Sequence, residues 1–130
     1  MMRAGWKIHL IALGFSLFVA AAQGGQTYTA ADFERVRKFD AHVHANTEDG
    51  AFLDIARKDG FEILSINVDY PDFPALPEQQ RDAVSLRERY PGRVAFAGAF
   101  SVEGFGAPDW AASAERQIEL AVQQGAVGIK

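Results

Sequence analysis

The 130-residue chain contains no cysteine. That excludes a disulfide framework, a thiolate metal site and a cysteine nucleophile. Histidine is scarce, with three residues in all. Basic clusters are missing as well, and the net charge is −4. A chain without a basic stripe is a poor partner for nucleic acid. No apolar run reaches the ~20 residues that span a bilayer. The longest, Ile8 to Ala22 (IHLIALGFSLFVAAA), has 15.

That run has a different meaning. Arg3 and Lys7 precede it, and Ala20-Ala21-Ala22 supplies small residues before Gln23. Basic start, apolar middle and small-residue end are the three parts of a secretory signal peptide. Residues 1–22 are therefore expected to direct export to the periplasm or outside the cell. An uncleaved anchor is the alternative, and the one route by which this chain would meet a membrane. No second arginine adjoins Arg3, so the general secretory route is favoured over the twin-arginine route. Removing Arg3 and Lys7 leaves the remainder more acidic than the whole. His9 lies in the signal, which leaves His42 and His44 as the histidines of the mature part.

Hydrophobic content of 48% and charged content of 23% are globular values, and the length suits one domain. Residues 23–35 read as a linker and a short helix, with Thr29-Ala-Ala-Asp32 as a capping box. An alternation follows. Val36 to His44 reads as a strand and Gly50 to Lys58 as a helix. Phe61 to Asp69 is a strand, Pro77 to Tyr90 a helix, and Val94 to Val102 a strand. Trp110 to Gln124 is a helix with Asp109 as N-cap, and Ala126 to Lys130 begins a fourth strand. Gly60, Gly92 and Gly125 stand where each helix must stop.

Strand–helix alternation predicts a parallel sheet. The helix-to-strand links are short, whereas Tyr70 to Leu76 and Glu103 to Pro108 make long loops after strands. The carboxyl ends of parallel strands are where such folds place function. Alternation within each strand assigns faces. Phe39, Ala41 and Val43 should oppose Asp40, His42 and His44. Leu64, Ile66 and Val68 should oppose Ser65, Asn67 and Asp69. Val94, Phe96, Gly98, Phe100 and Val102 should oppose Ala95, Ala97, Ala99, Ser101 and Glu103, and Val127 and Ile129 should oppose Ala126, Gly128 and Lys130. The bulky faces are expected under helices. The polar-tipped faces suit the inside of a closed barrel better than an open doubly wound sheet. The expected fold is α/β, the first four βα units of a TIM (β/α)8 barrel over residues 36–130. A complete barrel takes about 250 residues, so the chain is expected to be the front half of a larger catalytic domain.

Histidines two apart on a strand point the same way, about 6.6 Å apart along it. Both can reach one ion at about 2.0–2.1 Å. His42 and His44 are therefore expected to hold a divalent metal. A catalytic tetrahedral site needs a third protein ligand. Asp69, Glu103 and Lys130 are candidates at the strand ends, although a charged lysine is a poor ligand and suits a role as partner to a carboxylate. Asp40 is expected to orient a ligand imidazole or to cap the strand. Asn46 could contact substrate or shape a turn. Asn67, Asp69, Ser101 and Glu103 are expected to line the pocket, and Phe73, Phe105 and Trp110 could wall it.

The stretch FDAHVHAN at the end of a first strand resembles the HxH signature of the amidohydrolase superfamily, closest to its amidohydrolase-2 group. The terminal GAVGIK is similar to the run into that superfamily's fourth strand, where some members carry a metal-bridging carboxylated lysine. The resemblance implies a metal-dependent (β/α)8 hydrolase or related decarboxylase. His42 and His44 would bind the metal, usually zinc, and Lys130 would match the bridging lysine. The implied chemistry is a metal-activated water attacking a carbonyl-type centre of a small molecule. The general base would be an aspartate from a later strand. Two other readings stand beside it: a phosphoesterase of the polymerase-and-histidinol-phosphatase type, and a non-catalytic half-barrel that binds a ligand or partner, a homo-oligomer included, or is a decayed copy with no activity.

Overall fold

A computed structural model of the chain describes residues 27–130. The expected export segment, with His9, and the start of the expected linker lie outside them.

The described chain opens on Thr29 and Asp32. The Asp32 carboxylate accepts the Thr29 hydroxyl at 2.6 Å, the Thr29 N–H at 2.9 Å and the Arg35 guanidinium at 2.6 Å. Those bonds hold its carboxyl below the usual range, the hydroxyl contributing most. The capping box yields a single 3-10 turn, Ala30–Asp32, rather than a helix reaching Arg35.

The expected alternation follows: β1 (Lys38–Val43), α1 (Ala51–Lys58), β2 (Phe61–Ile66), α2 (Leu76–Arg89), β3 (Val94–Gly98), α3 (Trp110–Gln123) and β4 (Gly128–Ile129). Each strand stops short of its expected carboxyl end. His44, Asn67 to Asp69 and Ala99 to Val102 leave the ladder and become loop. At Gly60 and Gly125 the chain turns from helix to strand with φ of 76° and 89°. An L side chain adopts that conformation only at a cost.

All pairings are parallel, in the order β1-β2-β3-β4. A doubly wound sheet would reverse its order partway. Here every crossover advances the same way, and right-handed crossovers then put all helices on one face. α1 packs on β2, α2 on β3, and α3 on β3 and β4. The result is a four-stranded half-barrel, convex under its helices and concave on the other side. Its core lies on the convex side, around Leu53, Ala56, Ile63, Leu86 and Val94. Phe96 and Leu86 are fully enclosed, each contributing about 1.5–3 kcal/mol by burial. Gly98 lets α3 close on the sheet, because a Cβ there would stand 2.5 Å from that of Ala121.

The faces differ from simple alternation in two strands. In β1, Asp40 pairs with Ile63 but Val43 pairs with Ser65, so three steps of β1 match two of β2. This bulge reverses the parity of everything before it. Asp40 falls in register with the convex-side Ile63, opposite the histidines, and Phe39 is 58% exposed rather than under a helix. Val43 and Ala45 pack on the convex core, which leaves His42 and His44 on the concave side.

In β2 the expected faces are exchanged. Ser65 and Asn67, each 1% exposed, lie in the helix-covered layer beside Phe96. Leu64 and Ile66 take the concave face. Buried polar groups are stable when bonded. Ser65 Oγ accepts the Ala45 N–H at 3.1 Å, and Asn67 Nδ2 donates to Gln80 Oε1 on α2 at 3.0 Å. Asn67 Oδ1 has no partner among the described residues. β3 keeps its expected faces, with Val94, Phe96 and Gly98 buried. Val127, expected under a helix, is exposed before β4.

Candidate metal centre

The bulge that turns β1 also builds the site. Within it the Asp40 carboxylate accepts the His42 backbone N–H at 3.1 Å. Asp40 therefore shapes the backbone and does not orient an imidazole. Beyond the bulge His42 is exposed and His44 half-buried. Their ring centroids are 5.1 Å apart with planes at 76°. Two imidazoles bound through one nitrogen each to a tetrahedral ion stand about 5 Å apart, given metal–nitrogen distances of about 2.0–2.1 Å. The centroid spacing of the pair matches that distance.

The tautomer of His44 fits as well. Its Nδ1 lies 2.7 Å from the Ile66 carbonyl oxygen. A carbonyl accepts and cannot donate, so the proton is on Nδ1. In that tautomer the lone pair is at Nε2. A histidine whose second nitrogen is held by a backbone carbonyl is the usual arrangement of a metal ligand. Among the described residues no third His, Cys, Asp or Glu joins the two in a metal-sized cluster.

The other expected site residues divide. His44, Asn67, Asp69 and Lys130 border one pocket of about 480 Å³ at the carboxyl ends of the strands. Its walls are mostly apolar: Val68, Tyr70, Phe73, Ala99, Phe100 and Val102. Asn67 borders the pocket, yet its side chain is buried and turned to Gln80. Asp69 is engaged by the next loop, accepting the Val102 N–H at 2.8 Å and the Ser101 hydroxyl at 3.0 Å. Ser101 Oγ accepts in turn from the Glu103 N–H, and Trp110 Nε1 donates to the Ser101 carbonyl. Asp69 and Ser101 thus brace the loop after β3. Glu103 is exposed and borders neighbouring grooves, not the pocket of His44. Asn46 is half-buried just past the histidines. The Lys130 N–H donates to the Gly98 carbonyl at 2.9 Å, and among the described residues no carboxylate pairs with its ammonium.

Of the expected aromatic walls, Phe73 lies nearest the two histidines. Its ring meets that of His44 edge-on at 4.9 Å, and Tyr70 meets Phe73 at 6.1 Å. Trp110 and Phe105 pack on each other at 4.7 Å, away from the histidines. Tyr70 and Gln79 were not foreseen. Tyr70 opens the long loop Tyr70 to Leu76 after the second strand, whereas nothing in the pattern of α2 marked Gln79 as other than a surface polar residue.

No protein-family model, no curated protein and no solved structure matches this chain.

Proposed function

We propose that the chain is the amino-terminal half of a metal-dependent (β/α)8 hydrolase of the amidohydrolase type. His42 and His44 are its first two metal ligands. The observation that carries this reading is the pair of concave-side imidazoles, 5.1 Å apart, with Nδ1 of His44 committed to the Ile66 carbonyl. The sequential parallel half-barrel supports it by placing the pair at the strand ends where barrel enzymes act.

A divalent ion held there, most suitably zinc, would lower the pKa of a bound water toward about 7 and polarise a carbonyl oxygen. The chain's own residues supply the rest of the half-site. His44 presents Nε2, and Phe73 and Val68 keep its flank dry. Tyr70, Phe100 and Val102 offer an apolar wall for a small-molecule substrate, and Lys130 offers a cation for an anionic group on it. The remaining ligands and the general base are assigned to later strands of the closed barrel. Export by residues 1–22 is part of the same proposal.

Metal content of the purified chain tests the reading. About one zinc per chain, lost on chelation and regained on adding zinc, supports it. Two or three bound metals favour the phosphoesterase alternative. No metal under zinc-replete conditions refutes it.

A further inference from the structure

His44 is held at two points, one from the last residue of β2 and one from the loop that follows it. The Ile66 carbonyl accepts a hydrogen bond from its Nδ1. The Phe73 ring meets it edge-on, with centroids 4.9 Å apart and planes at 66°. The last torsion of a histidine side chain is broad and roughly two-fold. One hydrogen bond therefore leaves the ring able to rock, and a second contact from Phe73 fixes its plane.

Phe73 is itself in a loop, so something must fix the loop. Gln79, in the second turn of α2, is 1% exposed and makes three bonds to the loop's two ends. Its Oε1 accepts the Val68 N–H at 2.9 Å, and its Nε2 donates to the Val68 carbonyl at 2.9 Å and to the Pro74 carbonyl. The span from Val68 to Pro74 is thereby closed by one side chain. Inside it the Phe73 N–H donates to the Tyr70 carbonyl at 3.0 Å, a turn that aims the Phe73 ring back at β1.

We infer that Gln79 is a positioning residue for the metal pair, acting through Phe73 on the ring of His44. This inference rests on the metal reading above. Its chemistry is that of an outer contact that orients a ligand, and such contacts change metal affinity by about 10–100-fold.

The test compares the full chain with Phe73→Ala, Gln79→Leu and the double variant. Zinc affinity is measured by competition with a chromophoric chelator. The His44 tautomer is read from ring nitrogen shifts in metal-free protein. Each single variant should weaken zinc about tenfold and mix the His44 tautomers. The double variant should be no weaker than either single, because both act on one contact. Should Gln79→Leu fail to fold, Gln79→Glu replaces it, keeping the acceptor for Val68 and losing both donors. Unchanged affinity and tautomer in Phe73→Ala overturn the inference. So do fold-losses that multiply in the double variant, which would mean separate action. The tautomer needs no metal, so failure of this device is distinguishable from failure of the wild-type chain to bind zinc.

Discussion

Ser65→Ala is expected to destabilise the chain well beyond what a serine on an open sheet face would cost. Ser65 is 1% exposed, and its hydroxyl oxygen receives the Ala45 N–H just past the β1 bulge. Alanine removes that acceptor, and no backbone carbonyl of β2 stands in register to replace it. The half-buried N–H is left without a partner, which costs about 1–3 kcal/mol. At about 2 kcal/mol the urea midpoint falls by about 1 M, for a dependence near 2 kcal/mol per M. Thermal unfolding falls by roughly 4–8 °C per kcal/mol in a domain of this size. The assay is urea unfolding by circular dichroism, with amide hydrogen exchange at Ala45 as the local probe. The Ala45 amide should lose protection more than amides of β3. If Ser65 instead faced the concave side, as plain alternation expects, the loss would stay within about 0.5 kcal/mol. That outcome would refute the convex placement of Ser65.

His42→Ala and His44→Ala should each lower zinc affinity by more than the roughly 10–100-fold of an outer-contact change, read by chelator competition. His42→Ala should leave the unfolding midpoint unchanged because His42 is exposed. Gly98→Ala should cost about 1–3 kcal/mol by pushing α3 off the sheet, since the new methyl would meet Ala121 at 2.5 Å; Ala121→Gly in the same chain should recover part of that loss in urea unfolding. Burial raises the Asp82 carboxyl above its ordinary range, and Glu48 and Glu78 add to the rise. A raised folded-state pKa means that ionised Asp82 disfavours folding at neutral pH, a cost that fades as pH falls through that pKa. Asp82→Asn should therefore raise the unfolding midpoint at pH 7 and give no gain below about pH 4.

The order of elements was legible because each helix carries its own period and each ends on a glycine. Ala83, Leu86 and Tyr90, spaced three and four apart, mark the buried face of α2, with Ala83 and Leu86 fully enclosed. The sequential parallel order was legible from the alternation together with the polar tips of the strands. What alternation could not reveal was the bulge. An extra residue in β1 leaves no mark in a run such as KFDAHV, yet it moves Asp40 to the other face. The burial of Ser65 and Asn67 was hidden for a different reason. Polarity predicts exposure only when no partner waits inside, and their partners, Ala45 and Gln80, come from separate elements. The two histidines share one face, as alternation expects, because both follow the bulge and keep their mutual parity. Gln79 looked like a surface residue because its three partners lie in the loop before its own helix.

The central claim is that both imidazoles close on the same cation. A zinc titration followed by the ring nitrogen resonances of His42 and His44 measures this directly. The account predicts that His44 Nε2 and one ring nitrogen of His42 shift together and saturate at one zinc per chain, with His44 Nδ1 still protonated. Movement of one ring alone, or binding through Nδ1 of His44, would contradict it.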